Sequence, residues 1–294
     1  METPDPILLE SLGFEYRGII AKGGYGTVFN VYSPQYRMNF ALKRISSEKF
    51  HDSEIECMLQ IRSPYTVTLY KYVRSGEYVY LILEYCPNSL DKIIIQNPRL
   101  PLEKQLKMAF GMVLALKGCH EFGISHGDIK PSNFLIDNYG RIKICDFGLS
   151  QKITEEPNTI NLVGTLAYRS PEMIKMQPYD GFAADIWSLG VSLFILCTGT
   201  YPWNISSREK MLKSITNGIF DESLIKDPTL KEIIVKCLQV DPKKRPTAHE
   251  ITDMIRIKPV EARKKLVRAV HSSVYTTSVS RSNTIRRIRK IQSF

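Results

Sequence analysis

The sequence predicts an α+β protein of two lobes: a small antiparallel sheet with one key helix, then a larger, mainly helical region. Three observations carry this. Over the first third of the chain, apolar and polar residues alternate in short runs with the two-residue period of a strand. Beyond the stretch "CPNS" the apolar residues recur every three or four positions, as helices require. A short connector at Glu84–Pro87 separates the two patterns. Two unlike lobes joined this way leave a cleft between them.

In chain order, strands are expected at Phe14–Ile20, Val28–Tyr32, Phe40–Arg44, Val67–Val73 and Val79–Glu84. A helix is expected at Lys49–Ile61, where Phe50, Glu54, Met58 and Ile61 fall on one stripe at steps of four, four and three. The helical spacing then runs through Leu106, Ala109, Phe110, Val113, Leu114 and Leu116, and returns at Asp185–Leu196, Leu230–Leu238 and Thr247–Ile257. Between these helices, "FLID" and "RIKI" flank the turn residues "NYG", so Phe134–Asp137 is expected to pair with Arg141–Ile144. The longest near-apolar run, Ile186–Cys197, is shorter than a membrane span and reads as a buried helix.

Several of these segments carry side chains suited to chemistry. "AKGGYGTV", Ala21–Val28, joins two strands, and its glycines either bring backbone N–H groups close to phosphate oxygens or simply make a turn. In "NFALKR", alternation puts Ala41 and Lys43 on one face: a flat ligand beside an anion, or an exposed strand lysine. Glu54 interrupts an apolar stripe, so its carboxylate either meets a cation such as Lys43 or reaches solvent at the stripe's edge. The hairpin brings Asn133 and Asp146 together at its open end, an amide oxygen and a carboxylate of the kind that hold Mg²⁺. Just upstream, Asp128 and Lys130 supply a group to orient or deprotonate a hydroxyl and a cation for developing phosphate charge.

These motifs resemble the eukaryotic protein kinase family. The likeness runs from Phe14 to Ile257 through "AKGGYGTV", "FALK", Glu54, "HGDIKPSN", "DFG", "GTLAYRSPE", "DIWSLG" and "DPKKRPT", in the family's order. It implies a kinase domain over 14–257, with an N-lobe at 14–83, a hinge at 84–87 and a C-lobe at 88–257. By resemblance, the loop of Ala21, Lys22, Gly23, Gly24, Tyr25 and Gly26 covers the phosphates of ATP. Val28, Ala41 and Leu135 sandwich the adenine, and Glu84 and Cys86 bind its edge through backbone groups with Leu83 behind. Lys43 holds the α- and β-phosphates and pairs with Glu54, Asp128 accepts the substrate proton, and Lys130 steadies the γ-phosphate. Asn133 and Asp146 hold Mg²⁺ or Mn²⁺. Glu172 and Arg245 resemble the family's buried structural ion pair. The lysine of "DIKPSN" and Thr165 resemble the serine/threonine branch, so a protein substrate with a Ser or Thr acceptor is implied.

Three positions depart from the family pattern. Ala21 replaces the first loop glycine. Ser132 replaces an acid common where substrates are basic. Gly127 replaces the arginine that, in the family, grips a phosphate on the activation loop; Asn161 stands where that loop's phosphoacceptor is usual. Catalysis without activation-loop phosphorylation is therefore expected, and a catalytically weak or silent scaffold is the alternative. Cys145, next to Asp146, is expected at the nucleotide site, either open to thiol-reactive ligands or inert.

Bulk properties limit what else the chain does. Its net charge of +10 is local: Arg256–Phe294 holds eleven Lys or Arg and one acid, Glu261. Removing these from the chain's 40 basic and 30 acidic residues leaves 29 of each in residues 1–255. The basic tail, 258–294, suits an acidic partner or an acidic membrane surface, or stays solvated and flexible. Nucleic acid is not expected, because no aromatic stacking pattern accompanies the charge. The six cysteines are scattered with no CxxC pair, and the first ten residues lack the basic-then-apolar pattern of a leader. A monomer with free thiols, cytoplasmic or nuclear, is the expectation.

Overall fold

The computed structural model describes residues 3–24, 26–152 and 164–256. The chain opens with α1 (Pro6–Leu12), whose first turn is capped by Asp5 accepting from the Ile7 N–H at 2.9 Å. Five strands follow: β1 (Glu15–Gly23), β2 (Gly26–Ser33), β3 (Met38–Ser46), β4 (Leu69–Ser75) and β5 (Tyr78–Glu84). They form one antiparallel sheet in the order β1-β2-β3-β5-β4, with α2 (Asp52–Gln60) inserted between β3 and β4. Strand alternation gives this sheet two apolar faces. Phe29, Val31, Phe40, Leu42, Tyr80 and Ile82 form an outer layer closed by Leu8 and Leu9 of α1. Ala41, Ile45, Leu81 and Leu83 face inward and join the main core with α2 and the second lobe.

The second lobe begins with β6 (Asn88–Ser89), α3 (Leu90–Gln96), α4 (Leu102–His120) and β7 (Ile124–Ser125). The hairpin of β8 (Phe134–Ile136) and β9 (Ile142–Ile144) comes next, then β10 (Gln151–Lys152) and α5 (Pro171–Ile174). It closes with α6 (Gly181–Thr198), α7 (Arg208–Asn217), α8 (Pro228–Cys237) and α9 (Ala248–Arg256). By length and composition α6 is apolar enough to cross a membrane, and it lies inside the lobe with Ile186, Trp187, Leu189, Leu193 and Phe194 at most 2% exposed. The tail 258–294, and Ile257 at the expected end of the last helix, lie outside the described residues.

Two elements start two or three residues later than the sequence reading, each for a local reason. The helix expected from Lys49 starts at Asp52, because Ser47–Lys49 makes a 3₁₀ turn and Phe50 is extended at φ −88°, ψ 133°. The strand expected from Val67 starts at Leu69, because the Val67 N–H donates to the Ile144 carbonyl at 2.9 Å instead of joining the sheet. That crossing ties the small lobe to the β8–β9 hairpin. A second tie is polar: Lys143 on β9 is wholly buried, and its Nζ meets the Glu84 carboxylate at 2.8 Å. The same carboxylate oxygen accepts from the Thr68 N–H and hydroxyl at 3.2 and 3.0 Å.

The buried pair of Glu172 and Arg245 pins α5 to the late helices. Its two charged hydrogen bonds are 2.6 and 2.7 Å long. The remaining guanidinium hydrogens go to the carbonyls of Gln239, Ala183 and Val240 at 2.8, 3.0 and 3.2 Å, and the group lies 5.1 Å from the Trp187 ring. Every donor of the fork is used.

Candidate active site

The site is built on the β8–β9 hairpin. Its register is Phe134↔Ile144, Leu135↔Lys143 and Ile136↔Ile142. Asp137 stitches the turn by accepting from the Tyr139 and Arg141 N–H groups, each at 2.9 Å. At the open end the Cys145 N–H donates to the Asn133 carbonyl at 3.0 Å, which sets Asn133 and Asp146 side by side. Asn133 spends its amide hydrogens on the carbonyl and Oδ2 of Asp128, at 2.8 and 3.1 Å. Its amide oxygen is the atom left to face a cation. Asp146 holds φ at +66°, a conformation that costs a non-glycine residue about 1 kcal/mol or more.

Lys43 approaches from the small lobe. The β3 ladder places it opposite Val28 on one side and Leu81 on the other, so its side chain enters the cleft. Its ammonium meets Glu54 Oε1 at 2.7 Å and Asp146 Oδ1 at 2.8 Å. Burial alone pulls the Lys43 pKa down, but the carboxylates of Asp146 and Glu54 outweigh it and hold the group above its ordinary range. Burial likewise pushes Asp146 up, and the Lys43 charge and hydrogen bond overcome it, leaving that carboxyl below its ordinary range. Both groups are charged at neutral pH. Of the two readings of Glu54, the structure shows the paired one: it is 4% exposed.

Asp128 lies behind this pair. Its Oδ2 accepts from Lys130 Nζ at 2.7 Å, and Lys130 also reaches the Thr165 hydroxyl at 3.4 Å. The loop that carries Asp128 is hung from α6, where the Asp185 carboxylate accepts from the N–H groups of His126 and Gly127 at 2.7 and 2.9 Å. His126 is fully buried; one ring nitrogen meets the Cys145 carbonyl at 2.9 Å and the other lies 3.3 Å from the Asp128 N–H, which assigns a neutral ring protonated at Nε2.

Around these groups runs a cleft of about 210 Å³. Of the residues singled out from the sequence, it is lined by Ala21, Val28, Ala41, Lys43, Glu54, Leu83, Glu84, Asn133, Leu135 and Asp146. Lys22, Gly23, Gly24, Gly26, Cys86, Asp128 and Lys130 are not part of its wall, and Tyr25 lies outside the described residues. Ile20, Met58, Val67 and Ser132 also line it. Of these four, Ser132 stood out in the sequence as a departure from the family pattern and Met58 lay on the Glu54 stripe; Ile20 and Val67 carried no signal beyond their strands. Glu84 turns its carboxylate away from the cleft toward Lys143.

The loop glycines divide by surroundings. A Cβ on Gly26 would sit 2.1 Å from the Arg44 carbonyl oxygen, so that glycine is needed for the fold. A Cβ on Gly23 or Gly24 would meet nothing within 4 Å among the described residues, so packing does not require either glycine. Cys145 is part of the cleft wall, but burial, aided by Asp146, pushes its thiol well up; it is a neutral thiol at physiological pH.

A slot walled by Val28, Ala41, Leu83 and Leu135 fits a flat aromatic ring, and its polar end offers a lysine and two hard oxygen donors. That set fits a nucleotide with a divalent cation. Comparison with known proteins agrees. Residues 14–255 match the family model of the protein kinase domain. The chain is 30% identical over 249 residues to putative sperm motility kinase W of Mus musculus, covering 82% of this chain and 50% of that protein. It is 28% identical over 240 residues to the carbon catabolite-derepressing protein kinase of Candida glabrata, covering 79% and 39%. To CBL-interacting protein kinase 32 of Oryza sativa subsp. japonica it is 33% identical over 204 residues, covering 68% and 47%. The chain thus spans half or less of the length of these relatives. With the two-lobed fold, the Lys43–Glu54 pair and the hairpin oxygens all in place across the matched region, the chain belongs to the protein kinase family.

Proposed function

We propose that this chain is a protein serine/threonine kinase that moves the γ-phosphoryl group of ATP to a Ser or Thr hydroxyl of a protein. One observation carries the reading. Glu54, Lys43 and Asp146, and then Asn133, Asp128, Lys130 and Thr165, form two runs of ion pairs and hydrogen bonds, and Asn133 at the head of the second lines the same cleft as the whole of the first. The substrate oxygen forms its bond to the γ-phosphorus as the bond from that phosphorus to the β–γ bridging oxygen breaks. Asp128 orients the hydroxyl and takes its proton, and Lys130 faces the charge that develops on the transferred group. Asn133 and Asp146 are the residues to hold Mg²⁺, or Mn²⁺ in its place, which supplies neutralising charge to the phosphates. Lys43, kept in line by Glu54, holds the remaining phosphates. The reading of serine or threonine as acceptor rests on the Lys130–Thr165 contact and on the family resemblance.

The same reading includes independence from activation-loop phosphorylation. Gly127 has φ +77°, and a Cβ there would lie 2.6 Å from the Leu149 carbonyl oxygen. Across from it, a Cβ on Gly164 would lie 3.1 Å from the Gly127 carbonyl oxygen. The first and last described parts of the segment around 149–164 therefore close on the backbone of Gly127. Ser150 adds a hydroxyl donated to the His126 carbonyl at 3.0 Å, and β10 pairs with β7. These contacts do for the segment's ends what an arginine–phosphate pair would otherwise do. Thr154, Thr159 and Asn161 lie outside the described residues. Phosphatase-treated protein and a Thr154→Ala/Thr159→Ala variant are expected to keep the activity of untreated protein in a radiolabelled phosphate transfer assay. Loss of nearly all activity in both would sink the independence.

Gly127 and Ala21 favour one other reading, a scaffold with little or no catalysis. Phosphate transfer abolished by Asp146→Ala separates the two: a signal equal in wild type and variant supports the scaffold. For the tail 258–294, the excess of Lys and Arg supports binding to an acidic partner or membrane surface. Unchanged location and activity after its deletion would remove that role.

A further inference from the structure

Between Lys43 and Glu54 the chain makes the 3₁₀ turn Ser47–Lys49, and the last residue of that turn reaches out toward the glycine-rich loop. Lys49 Nζ donates to the Gly24 carbonyl at 3.3 Å. Gly24 stands beyond Gly23↔Gly26, the last paired residues of the β1–β2 hairpin, so this bond joins the tip of the loop to the approach to α2. The partner of the ammonium is a main-chain oxygen and not a carboxylate. Nothing in the phosphoryl-transfer reading uses Lys49.

The two ends of the bond are held very differently. The base of Lys49 is fixed from several sides. The Ser47 N–H donates to the Glu77 carbonyl at 2.8 Å, and the half-buried Phe50 packs on the main core. The Arg74 guanidinium lies 5.4 Å from the centre of the Phe50 ring and also pairs with Asp52. The hairpin, in turn, is fixed at its neck, where Gly26 is pressed against the Arg44 carbonyl too closely to bear a Cβ. Its tip has no such support: a Cβ on Gly23 or Gly24 would touch nothing among the described residues, so packing does not hold this part in place. Lys49 is a rigid post, and the tip is what it steadies.

We infer that Lys49 is a positioning residue for the nucleotide: its ammonium fastens the loop tip toward α2, and this bond sets how readily the loop closes over the phosphates and how fast a nucleotide leaves. The inference rests on the reading of the cleft as the ATP site. Ordering a loop around a ligand costs conformational entropy, and a tie already made in the free protein has met part of that cost beforehand. A lysine suits the task, since its long flexible stem spans from turn to loop and its ammonium donates to a carbonyl without a fixed orientation. The bond lies at the exposed surface, so its effect is modest. Lys43 and Glu54 keep their own partners, and the chemical step is left as it is.

The test uses the full chain, N-methylanthraniloyl-ATP with Mg²⁺ in stopped flow, and phosphorylation of casein over a range of ATP concentrations. Lys49→Met is expected to raise both the dissociation rate of the analogue and the KM for ATP about three- to fivefold, with kcat at saturating ATP not lowered. Its unfolding midpoint is expected to match wild type, which shows that the effect is not a loss of fold. Lys49→Arg keeps donor and charge and should restore both values. Glu48→Gln changes the charge of the same turn by one unit without touching the loop, and should leave both at the wild-type level. Wild-type dissociation and KM in Lys49→Met overturn the inference, as does a failure of Lys49→Arg to restore them. A fall in kcat at unchanged KM overturns it too, by moving Lys49 to the chemical step. Slower release in Glu48→Gln, of the same size as the Lys49→Met effect, would show that charge near the phosphates acts here and not the tie. Wild-type protein that neither binds the analogue nor transfers phosphate would overturn the nucleotide reading itself, and this inference with it.

Discussion

Two buried ionic clusters in this protein look alike by distance and differ in what they are for. Arg245 and Glu172 are joined by two hydrogen bonds of 2.6 and 2.7 Å, every guanidinium donor is spent, and the two side chains are only 0% and 8% exposed. Lys43 is joined to Glu54 and Asp146 at 2.7 and 2.8 Å, but Asp146 keeps 31% of its side chain exposed and the group opens onto the cleft. A saturated, closed cluster fixes one arrangement of the chain. An open one, with a carboxylate that has an oxygen to spare, is prepared for a ligand.

Single substitutions should separate these roles. Arg245→Met leaves Glu172 as an unpaired buried charge, and is expected to cost about 3–5 kcal/mol of stability in urea unfolding, with activity per folded molecule unchanged. The double variant Glu172→Met/Arg245→Met should recover most of that loss, because it removes the stranded charge as well. Lys43→Met should instead lower kcat by about 10²–10³; it also leaves Glu54, 4% exposed, without its cation, so it costs stability as well and the two variants are told apart by activity per folded molecule. If the Lys43 variant kept the activity of wild type per folded molecule, the open cluster would be structural after all.

Acidity sharpens the contrast. Asp146 titrates below its ordinary 3.8 and Lys43 above its ordinary 10.5. Their mutual stabilisation is thus complete between those values; it fades as pH falls below 3.8 and Asp146 takes a proton, and again above 10.5 as Lys43 gives one up. The stability difference between wild type and Lys43→Met should be flat from about pH 5 to 9 and shrink on further acidification. A slope inside that window would mean another group titrates in the cluster. The smallest effect expected is that of Gly127→Ala: about 1–2 kcal/mol from the left-handed backbone alone, read as a lower unfolding midpoint and faster amide exchange at Ser150–Lys152.

Much of the open cluster was legible in the sequence because its parts are local. The period of β3 aims Lys43, the stripe on α2 isolates Glu54, and the "NYG" turn fixes the register that puts Asn133 beside Asp146. What stayed hidden depends on distant backbone. No pattern within "METPDPILLE" tells that Leu8 and Leu9 cover the sheet's outer face, although Asp5 followed by Pro6 is a legible helix start. Cys86, given an adenine contact through its backbone by resemblance, is not among the residues of the cleft wall, whereas Leu83 and Glu84 are. The closure of Leu149 and Gly164 on Gly127 needs the whole second lobe, so the sequence marked that glycine only as a missing arginine.

The buried bridge between Lys143 and Glu84 has a mechanical meaning. Glu84 ends the last strand of the small lobe's central pair, and Lys143 sits in the middle of the hairpin that bears Asn133 and Asp146. Both partners are held by further contacts to Thr66 and Thr68. The bridge has the geometry of a pivot: rotation of one lobe about it would leave it intact, and sliding of one lobe along the other would have to break it.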